Sequence, residues 1–314
     1  MSRKSQKKHQ QASMHPKNTT FNIIKRELLR DKLALGSFIF LATVIVLLII
    51  SLFIIDEAET LQITLRGNLD RLNQAPSRYF WLGTDARGRD GVALLMIAAR
   101  NSLTITILTT LISSSFGIVY GLISGYTGRR IDRLMMGIID IITVIPNLIT
   151  MIVLLGFLGG FSTLGTVVAI SLLAWTGIAR VVRAKLIQEK ELEYIQASKT
   201  LGTPHIKIIF QKLVPNLSTT IIASIALNAT SIIIMETGLA FFELVGDLPA
   251  GLVRFPADTP SLGTLIAVTG YMHVLRSRWW LWVPPTVLVA LIIFSINSIG
   301  NMLSRAADAR QRLG

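Results

Sequence analysis

Six long apolar runs constrain this chain more than any other feature of its sequence. Each run has about 20 residues or more and almost no charge, which is enough for a helix to cross a hydrocarbon core of about 30 Å. The pattern therefore predicts an all-α polytopic membrane protein with six transmembrane helices. The predicted spans are Leu33–Ile55, Leu103–Tyr126, Leu134–Leu158, Thr163–Val182, Leu217–Val245 and Trp279–Leu303.

The basic residues predict how these spans are oriented in the lipid bilayer. Most of the 31 lysines and arginines fall in the N-terminal tail, after the second span, around Gln196 and at the C-terminus. Because such loops stay in the cytosol, we expect both termini to lie there. The net charge of +13 then follows the topology, and no aromatic residues are interleaved with it, so no nucleic-acid partner is expected.

Little of the chain lies outside the spans and their connections. Residues 1–20 are predicted to be a disordered basic cytosolic tail, and residues 21–32 an amphipathic helix at the membrane interface. The remaining predicted parts are a first transmembrane anchor at 33–55, an external loop at 56–102, a membrane core at 103–303 that contains a cytosolic loop at 184–216, and a cytosolic tail at 304–314.

Motifs for catalysis and metal binding are missing from the sequence. The chain has no cysteine, which excludes disulfides, thiolate nucleophiles and thiolate metal sites. A phosphate-binding loop, a zinc-binding helix and a nucleophile elbow do not occur either. The four histidines do not cluster and are interpreted as solvated; they are His9, His15, His205 and His273. We therefore expect no enzyme activity, metal or cofactor in this chain, and any energy source must be bound by a partner.

Small residues form a stripe along the second span. Gly117, Gly121 and Gly125 are four residues apart, and Ser113 extends the series. Such a stripe lets another helix approach closely, so we expect helix packing here, with lining of a substrate path as the alternative.

The third span contains a proline and an acid. Pro146 removes one backbone N–H and is expected to kink the helix. Asp140 lies about two turns inside the cytosolic end, from which it can reach water or Arg133. We interpret Asp140 as part of a structural interface.

Polar residues in the last two spans are candidates for a transport path. Glu236 is expected in the outer half of the membrane, where an ionisable group faces a protein interior or a cavity. It either forms a hydrogen bond to a neighbouring helix or subunit, or contacts substrate at the path or its outer gate. Asn297 and Asn301 share one face of the last span, where they cross-link helices or line the same cavity.

A charged island, Glu193–Asn216, separates two apolar runs and predicts two short helices with a hinge. Gly202 suits the left-handed residue that ends a helix. Thr203 is predicted to cap the next helix, with Pro204 at its first position. A helical projection of this kind offers a soluble partner a surface on which to act.

Several motifs together resemble one family. They are Trp81-Leu-Gly-Thr-Asp-Ala-Arg-Gly-Arg-Asp90, Ala99-Arg-Asn-Ser-Leu103, Gly125-Tyr-Thr-Gly-Arg-Arg-Ile-Asp-Arg133, Gln196–Asn216 and Glu236-Thr-Gly-Leu-Ala-Phe241. In this combination the chain resembles the C-type permease subunit of oligopeptide and dipeptide (Opp/Dpp-type) ABC importers, over roughly residues 21–310. Gln196-Ala197-Ser198 takes the place of the Glu-Ala-Ala motif of those permeases.

The resemblance implies the type I ABC-importer permease fold in the cytoplasmic membrane of a bacterium. It also implies four partners for this non-catalytic subunit: a B-type permease, two cytosolic ATPases that hold ATP and Mg²⁺, and an extracytoplasmic peptide-binding protein. Permeases of importers for nickel and other small solutes share much of the pattern and are an alternative. A secondary transporter is disfavoured, because inverted repeats and a relay of intramembrane charges are not evident.

By the same resemblance, the 184–216 loop of the permease core transmits ATPase motion to the spans. A short helix around Thr203–Phe210 would sit in a groove of the ATPase, with Lys199, Lys207 and Lys212 at its rim. The expected coupling residues are Gln196, Ala197, Ser198, Gly202, Thr203, Pro204, His205, Ile206, Ile209, Phe210 and Pro215.

Overall fold

The computed structural model of the protein describes residues 20–62, 69–158, 162–245, 260–267 and 272–311. Within these ranges the chain is almost entirely helical. Five helices are long and apolar enough to cross a membrane, and a bent helix pair makes a sixth span if it is counted as one. The predicted tail at 1–20 lies outside the described residues except for Thr20.

The elements of the described ranges are numbered in chain order. They are α1 (Thr20–Arg30), α2 (Lys32–Ile54), α3 (Glu57–Gln62), a 3₁₀ turn (Leu69–Arg71), α4 (Gly91–Tyr126), α5 (Arg129–Val144), α6 (Asn147–Phe157), α7 (Thr163–Lys190), α8 (Glu193–Thr200), α9 (His205–Ile208), a π turn (Ile209–Leu213), α10 (Val214–Val245), α11 (Leu262–Ala267), α12 (Met272–Ser277) and α13 (Trp279–Gln311).

Asp31 joins the N-terminal helices to the C-terminal one. It caps α2 by accepting hydrogen bonds from the backbone N–H groups of Leu33 (3.0 Å) and Ala34 (3.2 Å). It also forms an ion pair with Arg305 of α13. The hydrogen bond from Ala34, assisted by the Arg305 guanidinium, holds the pKa of Asp31 below its usual value. The first span is thereby attached to the last.

Helix α4 begins at Gly91, well before the predicted start of the second span at Leu103. Asp90 caps it by accepting a hydrogen bond from the backbone N–H of Val92 (2.9 Å). The first turns after the cap are buried at Leu94 and Ala98, so they belong to the helix bundle. The last quarter of the predicted external loop at 56–102 thus belongs to the same helix as the second span.

The third predicted span is two helices instead of one kinked helix. The axes of α5 and α6 differ by 84°. Between them, Ile145 is extended (φ −85°, ψ 135°), which is the conformation favoured before a proline. Pro146 therefore ends α5 and breaks the span that was predicted at Leu134–Leu158.

Helices α4 and α7 pack more extensively than any other described pair. The glycine stripe of α4 lies in this contact. A Cβ added at Gly117 would lie 2.6 Å from the carbonyl oxygen of Trp175, and one at Gly121 would lie 2.6 Å from that of Ala179. Gly125 continues the contact towards the end of α7. The two backbones touch, as small residues allow.

The core is built around α7 and α10. One cluster of buried side chains joins these helices to α4 and α6 around Ile170 and Ile232. A second cluster joins α10 and α11 to α2, α4 and α13 around Ala98 and Ile292. The third lies at the predicted cytosolic end and joins α4 and α7 to the segment from α8 to α10 around Leu186. This third cluster supports the predicted coupling residues.

Candidate coupling segment and transport path

The chain turns at Gly202 between α8 and α9. The φ angle of Gly202 is +74°. Its N–H donates to the carbonyl oxygen of Lys199 (2.9 Å), and the N–H of Thr203 donates to that of Ser198 (3.1 Å). These two bonds form a Schellman motif, which satisfies the last carbonyl groups of α8. The predicted left-handed glycine is therefore confirmed.

The start of α9 differs from the prediction. The helix begins at His205 with Pro204 at the N-cap position, and no side chain caps it. Thr203 is therefore not the N-cap, and Pro204 is not the first helical residue. The reason is that the Schellman motif uses the backbone of Thr203 to end α8, which leaves Pro204 to begin the next element.

Helix α9 continues into α10 through the π turn. The N–H of Val214 donates to the carbonyl oxygen of Ile209, five residues earlier. Pro215 follows directly and has no backbone N–H, so the helical hydrogen-bond pattern is interrupted at this residue in any case. The extra residue of a π turn can therefore be inserted just before it. The helix of the fifth span thus belongs to one helical rod that starts at His205. The span boundary at Leu217 stays a prediction.

We call the residues from Glu193 to Leu213 the coupling segment; it has two distinct faces. The inner face carries Ile195, Ile208 and Leu213, which are completely buried. The outer face carries three large apolar side chains, which we call the apolar patch. They are Leu201, Ile206 and Phe210, exposed to 85%, 71% and 65%. Large exposed apolar side chains outside the lipid are common at protein docking sites, so a docking role for the apolar patch stays a prediction.

The predicted coupling residues divide between the two faces. Ser198 is buried and accepts a hydrogen bond from Lys212, and Ile209 packs against the third cluster, so both belong to the inner face. Leu201 was not predicted, although an apolar residue directly before a left-handed glycine was an available signal. Outside the apolar patch, the other predicted residues of the segment are exposed, except the half-buried Thr203; the exposed ones are Gln196, Ala197, Gly202, Pro204 and His205. Pro215 is also exposed and lies just beyond the segment.

Polar contacts attach the coupling segment to the ends of the spans. The hydroxyl of Tyr126 lies 2.6 Å from Nδ1 of His205. Lys190 Nζ donates to the carbonyl oxygen of Gly125 (2.7 Å), and Gln196 Nε2 donates to that of Lys190 (2.9 Å). Gln196 therefore binds within its own chain, at the C-terminal end of α7.

An ion pair joins α5 to α7 beside the coupling segment. Arg183 donates from Nε and Nη2 to the two carboxylate oxygens of Asp132 (2.6 and 2.5 Å). The hydroxyl of Ser124 in α4 donates to the same carboxylate (2.7 Å). The Asp132 and Arg183 side chains are only 15% and 30% exposed, so three helices meet at a sheltered charge pair.

Arg183→Ala is expected to lower the thermal stability of the purified complex, by roughly 1–3 kcal/mol, because Asp132 would remain sheltered without its cation. Adding Asp132→Asn should restore part of the loss, which a double-mutant cycle of unfolding temperatures measures. Arg180→Ala in the same helix is the control. It removes a pair with Asp140 in which the two side chains are 47% and 69% exposed, worth less than about 1 kcal/mol. Equal losses in both variants would contradict this role of Arg183.

Asp140 pairs with Arg180 of α7 and not with Arg133. Arg180 Nη2 donates to Oδ1 of Asp140 (2.8 Å) and to Oγ1 of Thr143 (2.9 Å). A partner on a neighbouring helix was not visible in the sequence, because Arg180 lies 40 residues further along the chain. The interpretation of Asp140 as an interface residue stays a prediction, now between α5 and α7.

Glu236 lies in α10 and is 4% exposed. The hydroxyl of Ser102 in α4 donates to its Oε1 (3.2 Å) and accepts a hydrogen bond from the backbone N–H of Leu262 in α11 (2.9 Å). The carboxyl group thus sits where α4, α10 and α11 meet. The first of the two interpretations, a hydrogen bond to a neighbouring helix, describes this contact. A role on the substrate path stays a prediction.

Asn297 and Asn301 occupy different environments. Asn297 Nδ2 donates to Oγ1 of Thr230 (3.0 Å) and so connects α13 to α10. Asn301 is exposed and does not share this contact. A further amide, Asn228, donates to Ser113 of α4 (2.9 Å). It was not predicted, although an amide in the middle of an apolar run was a readable signal.

Residues 117–312 match the family described as "Binding-protein-dependent transport system inner membrane component". The match covers the broken span, the coupling segment and all of α10 to α13. The chain belongs to this family. It is thus a permease subunit of an ABC importer, located in a bacterial membrane.

Relatives of this importer permease are similar over most of their length. The chain is 38% identical to the oligopeptide transport system permease protein OppC of Lactococcus lactis subsp. cremoris, over 92% of this chain and 94% of that protein. It is 32% identical to the dipeptide transport system permease protein DppC of Bacillus subtilis, over 91% and 85%. Among solved structures, an inward-facing form of the MetNI methionine ABC transporter matches with a TM-score of 0.57 at 19% identity, over 68% of this chain and 96% of that chain. This last likeness concerns the fold.

Proposed function

We propose that this permease forms, together with a B-type permease, the path by which oligopeptides or dipeptides enter the cell. The proposal is supported by relatives that are called oligopeptide and dipeptide permeases and that cover nearly the whole chain. In this proposal, two cytosolic ATPases hold ATP and Mg²⁺, and an extracytoplasmic peptide-binding protein delivers the cargo. The permease itself is not an enzyme and contributes the path and the coupling segment.

The coupling role rests on one observation: the inner face of the coupling segment is buried against the spans, while the outer face exposes apolar side chains. The apolar patch offers an ATPase groove three large side chains. Lys199 and Lys207 provide positive charge beside them, a polar rim around an apolar centre that is typical of protein interfaces. Burial of such anchors supplies most of the binding energy at an interface.

Movement of the apolar patch would reach the spans through the inner face. Ile195 and Ile208 are buried in the same cluster as Leu186 of α7 and Leu217 of α10. A close-packed cluster transmits displacement because it leaves no space to absorb it. The rod from α9 through the π turn to α10 provides a second connection. The closing of two ATPases would in this way move α7 and α10 together.

Phe210→Ala is expected to weaken ATPase binding by at least tenfold, because a large apolar anchor in an interface contributes about 2 kcal/mol or more. ATPase retention, peptide-stimulated ATP hydrolysis and uptake of a labelled peptide would be measured on the complex in proteoliposomes. Phe53→Ala in α2 is the matched control, since Phe53 is equally apolar and 85% exposed but lies far from the coupling segment in the chain.

Two results would contradict this proposal, and they concern different parts of it. Normal ATPase binding by Phe210→Ala would exclude the apolar patch as the docking surface. Uptake of nickel ions but not of peptides by the wild-type complex would exclude the peptide cargo and leave the coupling role in place.

A further inference from the structure

Glu236 borders a small polar cavity between α4, α7, α10 and the start of α11. The volume open to water is about 40 Å³. Because one water needs about 10–15 Å³ on this measure, the cavity has room for about three waters, or for one ion with one or two waters, and not for a peptide. Besides Glu236, its polar lining consists of Asn101, Ser162, Thr163, Thr166, Ser261 and Thr264.

The hydrogen bonds around the carboxyl group leave one of its oxygens without a partner. Ser102 accepts the N–H of Leu262, so its single proton is available for Oε1 of Glu236. Oε2 is buried and has no hydrogen-bond partner among the described residues. A buried carboxylate oxygen in this state costs free energy comparable to a lost hydrogen bond or more.

Two other side chains of the lining, Asn101 and Ser261, lie near the Glu236 carboxyl group. Asn101 donates from Nδ2 to the carbonyl oxygen of Pro260 (2.9 Å). This bond uses the nitrogen of the amide, and the amide oxygen can act as a ligand in the cavity. Ser261 also interacts with the Glu236 carboxyl group. A species bound in the cavity would give Oε2 the contact that it lacks among the described residues.

We propose that Glu236 and the surrounding hydroxyl and amide oxygens bind one monovalent alkali cation. Carboxylate, hydroxyl and amide oxygens are hard ligands that suit such an ion. The described lining residues include one acid and no base, so a single positive charge balances the charge of Glu236 among them. A divalent ion would leave an uncompensated charge within the membrane, and the described ranges hold no cluster of three acidic or histidine ligands for it.

The site joins four elements that are far apart in the chain. Ser162 and Thr166 belong to the start of α7, Asn101 to α4 and Thr264 to α11. An ion held between them binds only while these elements remain together. Its occupancy therefore stabilises this arrangement of the outer half, in the way that any ligand stabilises the state that binds it.

The test uses the purified complex with its partner subunits in nanodiscs, in sodium, potassium or N-methylglucamine chloride at one ionic strength and one pH. The wild-type complex is expected to gain a saturable increase of several degrees in its unfolding temperature with sodium or potassium over N-methylglucamine. Glu236→Gln should lose this increase. Asp308→Asn, which removes an acid at the other end of the bundle, should keep it.

A second, milder variant keeps the proposal testable if Glu236→Gln fails to fold. Thr166→Val preserves the side-chain shape and removes one neutral ligand, so the cation concentration at half-saturation should rise several-fold. Equal unfolding temperatures of the wild-type complex in all three salts would overturn the proposal and leave water as the occupant. A cation effect that survives in Glu236→Gln would also overturn it. None of these readouts depends on cargo or on ATP hydrolysis.

Discussion

Gly121→Val is expected to abolish the assembled permease. An added Cβ would lie 2.6 Å from the carbonyl oxygen of Ala179 and 3.0 Å from Cβ of Val182. Because the first of these atoms belongs to a backbone, no side-chain rotation relieves the overlap, and α4 and α7 must separate. Overpacking of this kind costs about 1–3 kcal/mol for a single added group and more for a branched side chain. Complex yield and unfolding temperature in detergent would measure the loss.

Gly36 provides a matched control, because it also lies in a transmembrane helix and a Cβ added there has no neighbour within 4 Å. Gly36→Val should therefore assemble like the wild-type chain, while Gly121→Ala should fall between the two. Wild-type yield and stability of Gly121→Val would mean that α4 and α7 do not meet through their backbones.

Gly202→Val is expected to insert and to meet its B-type partner, yet to stop import. The φ angle of Gly202 is +74°, which a β-branched residue adopts at a cost of about 1–3 kcal/mol. Space is not the problem, since an added Cβ would have no neighbour within 4 Å. The strain acts on the angle between α8 and α9, and so on the position of the apolar patch. We expect the ATPases to be lost or their hydrolysis to ignore the loaded binding protein.

Gly202→Asn separates backbone strain from loss of the glycine itself. Asparagine enters the left-handed region far more easily than valine, so this variant should retain most of its transport. Thr203→Ala should be close to wild type, because Thr203 contributes its backbone N–H and not its hydroxyl to the turn. Coupled ATP hydrolysis and uptake in Gly202→Val at wild-type rates would exclude the coupling segment as the transmission element.

The parts of the fold that the sequence predicts well are those governed by local chemistry. Apolar runs predict the spans, because a chain in the hydrocarbon core must satisfy its backbone hydrogen bonds internally, as a helix does. The spacing of Gly117 and Gly121 indicates close packing, and Gly202 indicates a left-handed turn. In each case the property belongs to a few neighbouring residues and does not depend on a partner elsewhere in the chain.

The parts that the sequence does not predict depend on long-range geometry. The sequence predicts that Pro146 disturbs the helix of the third span. Whether a proline kinks or breaks a span depends on what the two halves pack against. The same holds for the partner of Asp140, which is Arg180 on the neighbouring helix α7. In the coupling segment, Ile209 packs against the third cluster, and Ser198 is buried and hydrogen-bonded to Lys212, so both belong to the inner face. Periodicity over so short a segment cannot assign its faces.

The close contact of α4 with α7 also has a consequence for how the protein is made. The ribosome must add residues 127–162 after α4 is complete and before α7 begins. At about 5–20 residues per second, α4 waits several seconds in the membrane before Trp175 and Ala179 reach it. During this time its glycine stripe has no partner helix. We therefore expect a nascent chain that stalls between the two helices to be less stable in the membrane than one that has completed α7.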